Sequence, residues 1–460
     1  MSTHARAIIR ATIQRAALAL VVCLGVVLFA FVTEASKSDA TNRGELAALS
    51  ARTALTKAHL PSFDVAARNG VKQLIGMGGR TPASQEPNGL WGYHIMPNWW
   101  QSALALWSLA RYLEQTRSTD SIYQRSILRL YNHNVIRPNT HAPLNFGNEF
   151  NDDTGWWGVA WLEAARYELY VRHDVPNARK FLTVAEWDAN FINGVPRVCG
   201  GLQWGLGKPP DTITMAEFMH LTAGLYRLRM APGVFHNPSE AGRWLVDSQW
   251  ALNYMTKTRL VNMKDGTIAD SLFKHKDNSC TPYGQLLTYN QGETAEALIQ
   301  MGMALHQPWY YKEALKFLRV AINPKSGLIR HGVLREHCED VKGNCASKES
   351  RLDLPAYKGI LVNALDDYDK ATHTNTFRPF LLTQAAAVVR HAILGGNSTG
   401  CRTPSTCLFG FYWTPPPHLA SNAVGASLGG QESGIEALTP ALSSTTATHS
   451  PRGAAAVAKP

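Results

Sequence analysis

The chain carries little charge: Asp, Glu, Lys and Arg make up 17% of its 460 residues, while hydrophobic residues make up 45%. That balance excludes an intrinsically disordered protein, which needs the reverse. Concentrated positive charge is missing too. Lys and Arg number 45 against 35 Asp and Glu, a formal +10, yet no run of Lys or Arg is longer than two. Nucleic-acid binders gather these residues on one face, so no nucleic-acid partner is expected. Several common catalytic signatures are absent as well. GLQWGLGK (201–208) approaches a phosphate loop but has the wrong spacing and lacks the closing Ser or Thr. Neither H-E-x-x-H nor G-x-G-x-x-G occurs, which removes support for a metalloprotease or a dinucleotide enzyme. His331, His337, Cys338 and Cys345 match no standard zinc spacing. No metal and no cofactor are expected.

Long apolar runs are lacking except at the start. Arg6, Arg10 and Arg15 precede the apolar segment 16–32, and Thr33 and Ala35 suit the last positions before a cut. This is the pattern of a secretory signal over residues 1–35; if retained, the segment would attach the protein to a membrane. In both cases the rest of the chain is expected to be exported, after a linker over 36–50. Cysteine use agrees. Of 7 cysteines, Cys23 lies in the apolar run. Cys338 with Cys345, and Cys401 with Cys407, enclose short loops and can pair locally, leaving Cys199 with Cys280 by elimination. Asn397 begins an N-x-[ST] sequon. Residues 439–460 turn to Ala, Ser, Thr and Pro, the composition of a flexible tail.

Between these ends strand alternation is nearly absent, and helix-period segments recur. They lie near 54–76, 97–116, 119–135, 154–173, 176–193, 212–230, 238–257, 288–306, 308–322, 355–371, 373–394 and 425–438. Some are apolar all round, such as GWWGVAWLEAARYELY (155–170); others are amphipathic, such as SEAGRWLVDSQWALNYM (239–255). The first kind is buried and the second covers it. Their alternation predicts two concentric rings, an all-α (α/α)6 barrel of six hairpins over 51–438. No fixed period of helical repeats appears, which disfavours a solenoid.

All 13 Trp fall between Trp91 and Trp413. FGNEFNDDTGWW (146–157) sets Asp152 and Asp153 at the start of the most Trp-rich helix. Asp is common in a first helical turn for capping alone, and Asp366-Asp367 serves as an internal control, a pair expected on a solvated face. GGLQWG (200–205) and TYNQG (288–292) place further Gly, amide and aromatic groups at loop-to-helix junctions. In a ring of hairpins such junctions gather at one end. Paired carboxylates beside aromatic walls are what glycoside cleavage needs: one acid protonates the leaving oxygen, and the other attacks the anomeric carbon or activates water. Two consecutive helical residues diverge by about 100°, so at least one of the pair is expected at or before the helix start, on non-helical backbone.

NDDTGWWGVAWLEA resembles the signature of glycoside hydrolase family 76, whose members cleave α-1,6-mannan. GGLQWG is similar to that family's Gly-Gly-x-x-Trp loop, TYNQG to its Tyr-Asn-Gln-Gly element, and GVLREHCE (332–339) and AYKGILV (356–362) to later segments. The resemblance spans about residues 90–413. It implies an (α/α)6 barrel without cofactor that retains anomeric configuration, with Asp152 as nucleophile and Asp153 as general acid/base. Trp156, Trp157, Gln203 and Trp204 would line the sugar sites, Tyr289, Asn290 and Gln291 would bond hydroxyls, and Asp211 would add a third acid. Met215 stands where the family's helix has Asn. The expected partner is a polysaccharide, α-mannan, acted on by a monomer. Wall-crosslinking transglycosylases of the same family, a non-catalytic wall-glycan binder and a polysaccharide lyase are the rival readings; no cluster of Tyr or His with Arg beside Asp152 favours the lyase.

Overall fold

A computed structural model describes residues 60–81, 83–92, 99–135, 146–340, 353–394, 400–414 and 426–442. The expected signal, linker, Cys345, Asn397 and most of the expected tail lie outside the described residues. Twelve α-helices occur among the described residues: α1 (Phe63–Leu74), α2 (Trp99–Thr116), α3 (Ser121–Asn134), α4 (Asn151–Tyr167), α5 (Val175–Gly194), α6 (Thr212–Met230), α7 (Pro238–Thr258), α8 (Thr288–Leu305), α9 (Pro308–Ala321), α10 (Leu354–Thr372), α11 (Arg378–Ala387) and α12 (Leu428–Leu438).

The even-numbered helices close a ring. α2 packs on α4, α4 on α6, α6 on α8, α8 on α10, α10 on α12, and α12 back on α2. Around it α5 covers α4, α7 covers α6, α9 covers α8, and α1 lies on α12. α3 reaches both α2 and α4, setting Tyr123 against Tyr112 and Tyr131 against Trp161. This is the (α/α)6 barrel that the periodicity predicted. The inner α6 buries Thr212 through Leu225 without a break, while the outer α7 buries Ala241, Trp244, Ser248, Ala251 and Met255. Steps of three and four place those five on one stripe, as a covering helix requires. Close approach of α4 and α6 depends on Gly158, where a Cβ would run into the Leu221 side chain.

Strands occur only as short hairpins in the loops: β1 (Arg197–Val198) with β2 (Gly201–Leu202), β3 (Val261–Asn262) with β4 (Thr267–Ile268), β5 (Ser271–Lys274) with β6 (Cys280–Tyr283), and β7 (Ile329–Arg330) with β8 (Val333–Leu334). A disulfide between Cys199 and Cys280, Cα atoms 6.1 Å apart, ties the turn of the first hairpin to β6. Cys401 and Cys407 form a second, and Cys338 is also disulfide-bonded. The chain remains buried through Leu442, beyond the expected limit at 438. No helix among the described residues is long and apolar enough to cross a membrane.

Two of the motif segments serve the scaffold. Lys358, within AYKGILV, is fully buried and donates to Glu339 Oε1 of GVLREHCE at 2.8 Å and to the Phe411 carbonyl at 2.6 Å. Glu336 accepts from the Thr288 hydroxyl at the start of TYNQG. These polar contacts lock the loop before α10 to the N-terminal turn of α8.

Candidate active site

A cavity of about 490 Å³ opens where the inner helices begin. α2 contributes Trp100, α4 contributes Asp152, Asp153 and Trp156, α8 contributes Tyr289 and α10 contributes Tyr357. Asp211 and Asp353, the residues just before α6 and α10, join them. Five inner helices therefore direct their N-termini at one space. Their unpaired N–H groups and dipoles favour negative charge there.

Asp152 and Asp153 both lie inside the first turn of α4, which begins at Asn151 and has Phe150 as its cap residue. The expected non-helical break is corrected: both residues are helical. Two side chains 100° apart reach the same cavity because it sits over the end of the helix rather than beside it. Nor do the two Asp cap the helix, the ordinary role for such a pair. Trp204 donates its indole N–H to Asp152 Oδ2 at 2.8 Å, and Asn148 donates its amide to Asp153 Oδ2 at 2.5 Å.

These partners separate the two carboxyls electrically. Burial pushes the Asp152 carboxyl up to about 6, restrained by the Trp204 donor and nearby backbone N–H groups. Asp153 is driven well above the usual carboxylate range, by burial first and then by the charge of Asp152, with Asn148 opposing. Near neutral pH this leaves Asp152 as the anion and Asp153 as the proton carrier. Paired titratable groups pushed apart by their surroundings are the mark of an acid and a nucleophile sharing one site.

Asp211 caps α6 through Thr214 N–H at 3.0 Å, and burial with the Asp152 charge raises its pKa strongly. Below the cavity Glu217 is fully buried, raised by burial and by Asp152. A Cβ at Gly155 would collide with its carboxylate, so the glycine lets α4 sit directly on it. Aromatic faces complete the walls. Tyr289 and Tyr357 stack with ring centroids 3.9 Å apart, and Trp100 lies 6.5 Å from Trp156. No cluster of His, Cys, Asp and Glu fit to hold a metal occurs among the described residues.

Asp152, Asp153, Trp156, Trp204, Asp211 and Tyr289 thus meet at the cavity. Four other sequence candidates do not border it. Trp157 turns into an aromatic core with Phe146, 4.6 Å away, because it lies about 100° round α4 from Trp156 and further from the helix start than the Asp pair. Gln203 folds onto its own loop, accepting from Gly207 N–H at 2.6 Å. Gln291 is buried and donates to the Gly266 carbonyl at 3.2 Å. Asn290 stands behind the wall, donating to Asp270 Oδ1 at 2.8 Å. Asp270, Asp353, Trp100, Tyr283 and Tyr357 line the cavity without having been singled out. Of these, Trp100 and Tyr357 lie in segments already marked as helical, whereas Asp270 has no motif to announce it.

A second cavity of about 440 Å³ lies at the C-terminal ends of the inner helices. Arg111, Arg166, Arg227 and Lys370 face Glu114, Glu163 and Asp367 there. The expectation that Asp366-Asp367 forms a solvated face is corrected by this arrangement. Arg111 binds Asp367 through both guanidinium nitrogens, at 2.5 and 2.8 Å, and approaches Asp366 at 3.6 Å. The helical period gave the face but not its neighbour: α2 and α10 both end here with opposite charges.

Residues 75–445 match the family model described as glycosyl hydrolase family 76. No curated protein matches the chain significantly. Among solved structures, the GH76A α-1,6-mannanase of Salegentibacter sp. HEL1_6 aligns at 20% identity over 82% of this chain and 98% of its own, with a TM-score of 0.62. An inactive variant of that enzyme, with two consecutive Asp replaced by Asn, was solved with α-1,6-mannotriose; it aligns at 19% identity over the same shares, also with a TM-score of 0.62. Dfg5 from Chaetomium thermophilum, in complex with glucosamine, aligns at 18% identity over 82% of this chain and 89% of its own, with a TM-score of 0.61. At these identities the likeness is one of fold.

Proposed function

The chain belongs to glycosyl hydrolase family 76, and on that premise we propose that it is an exported, retaining glycosidase acting within α-1,6-mannan. One observation carries this reading: two consecutive carboxyls, Asp152 and Asp153, face one aromatic-walled cavity with different proton affinities. Asp152, as the anion, attacks the anomeric carbon. Asp153 gives its proton to the glycosidic oxygen as that bond breaks, so the leaving chain departs as a neutral alcohol. The glycosyl group is then held as an ester on Asp152. Asp153, now charged, takes a proton from water as the water attacks the same carbon from the opposite face, which restores Asp152 and retains configuration.

Trp156, Trp100 and the Tyr289–Tyr357 pair offer flat apolar faces to the C–H surfaces of pyranose rings. Asp211 and Asp270 offer acceptors to hydroxyls. The N-terminal apolar segment and the disulfides support export. The second reading, mannosyl transfer onto a wall glycan, uses the same ester and differs only in whether water or a sugar hydroxyl resolves it; the likeness to Dfg5 favours keeping it in view. Incubation of the purified protein with α-1,6-mannan, with and without an acceptor oligosaccharide, tests both. Shorter mannosides alone support hydrolysis, products extended by the acceptor support transfer, and unchanged mannan refutes either.

A further inference from the structure

The β5–β6 hairpin leaves the cavity rim and projects outward. Ser271, its first residue, and Tyr283, its last, are paired across the strands and both line the cavity. Side chains alternate along a strand, and directly opposed residues share a face. Phe273 and its partner Thr281 therefore lie on the same face as Ser271 and Tyr283, one step further out. His275 continues the face beyond the last pair, its ring 4.8 Å from Phe273 and its Nε2 2.8 Å from the Thr281 hydroxyl. The other face points back toward the barrel, with Leu272 buried and Cys280 in its disulfide to Cys199.

This outward stripe is aromatic and wet. Phe273 is 53% exposed and Tyr283 52%, although apolar rings of that size are normally covered. Their centroids are 6.2 Å apart with the rings perpendicular, so they stack edge to face and cannot both present one flat surface. A flat ribbon polymer would find no continuous platform here. A 1,6-linked chain has three rotatable bonds between rings, so successive pyranoses can turn to meet differently oriented aromatic faces. Thr281 and His275 supply hydroxyl partners beside the rings.

We propose that this face of the β5–β6 hairpin is a distal glycan-binding subsite, in which Phe273 stacks on a pyranose of a chain running out of the cavity past Tyr283. It rests on the reading of the cavity as a mannan-cleaving site and adds a length requirement to it. The disulfide to the Gly-Gly loop holds the hairpin in register with Trp204, so that cavity and subsite act on one chain.

Phe273→Ala removes the exposed ring without touching the cavity, and Phe273→Tyr preserves a stacking face. With α-1,6-mannooligosaccharides of increasing length, kcat/KM of Phe273→Ala should equal wild type for chains that fill the cavity alone. For longer chains it should fall by about five- to tenfold, the effect of losing one aromatic stacking face, and Phe273→Tyr should restore it. An equal loss at every length, or no loss on long chains, overturns the subsite while leaving mannan cleavage standing. A wild-type protein that cleaves no mannan refutes the parent reading instead. Native electrophoresis through gels containing α-1,6-mannan or other wall polysaccharides then decides the subsite without turnover. Retardation weakened in Phe273→Ala supports it; retardation unchanged by the substitution, or none in any gel, overturns it.

Discussion

Trp204 donates its indole N–H to Oδ2 of Asp152 at 2.8 Å across 52 residues of chain. An indole N–H binds a carboxylate more strongly than a protonated carboxyl, and so the bond favours the charged form. Trp204→Phe keeps a ring against Phe150, now 5.4 Å away, but removes the donor. The Asp152 carboxyl then rises above its value of about 6. The acid limb of the kcat/KM profile should move up by about one pH unit, with activity lost first at low pH. An unmoved acid limb would mean that Asp152 is not the group that must be ionised.

The roles of the two carboxyls can be separated by leaving group. Asp152→Asn and Asp153→Asn should each lower cleavage of α-1,6-mannan by more than about a thousandfold, with thermal unfolding unchanged. On an aryl α-mannoside whose phenol departs without protonation, Asp153→Asn should still form the glycosyl ester and release a burst of phenol. Asp152→Asn should release none. A reversed pattern would exchange the assignments, and substantial mannan cleavage by either variant would refute them.

Stability should fall toward alkaline pH. Burial lifts Glu296 and Glu336 to about 8 and Glu436 to about 7, against about 4.3 in an unfolded chain. Groups raised in the folded state contribute stability that is complete below the unfolded value and lost as pH climbs through the folded one. Asp367 has the opposite sign. Burial alone would raise it, but the Arg111 guanidinium holds it well below the usual range. Its contribution is present above about pH 4 and lost as pH falls further. The melting temperature should therefore be highest near about pH 5 and decline by about pH 8. A flat or rising profile across that window would contradict the protonated state of the buried glutamates.

Lys358→Met should cost about 3–5 kcal/mol in urea unfolding, because it strands Glu339 as a buried charge. Adding Glu339→Gln should return part of that loss, since the second change removes the stranded charge. If the single variant is as stable as wild type, the pair does not hold the loop before α10.

The twelve helices, their alternation and the paired Asp were legible because each depends on short spacing along the chain. An all-round apolar segment such as 155–170 must be inside wherever it lies, and the stripe on α7 must face inward. The same periodicity could not say which of two buried faces borders a cavity. Trp156 and Trp157 are equally apolar and adjacent, yet one lines the cavity and the other joins an aromatic core. Gln203 and Gln291 likewise have the chemistry to bond sugar but spend it on nearby backbone.

What the sequence by itself determined was burial period and chemical type, both local properties. Only the closed ring brought Asp270, Asp353 and Tyr357 up to Asp152, because their distances depend on the lengths of six inner helices and the loops between them. It also turned Asp366-Asp367 from an expected solvent face into the partner of Arg111. Closure brings Arg111, near the end of α2, across the ring to Asp367, near the end of α10, so that a partly buried carboxylate meets its cation.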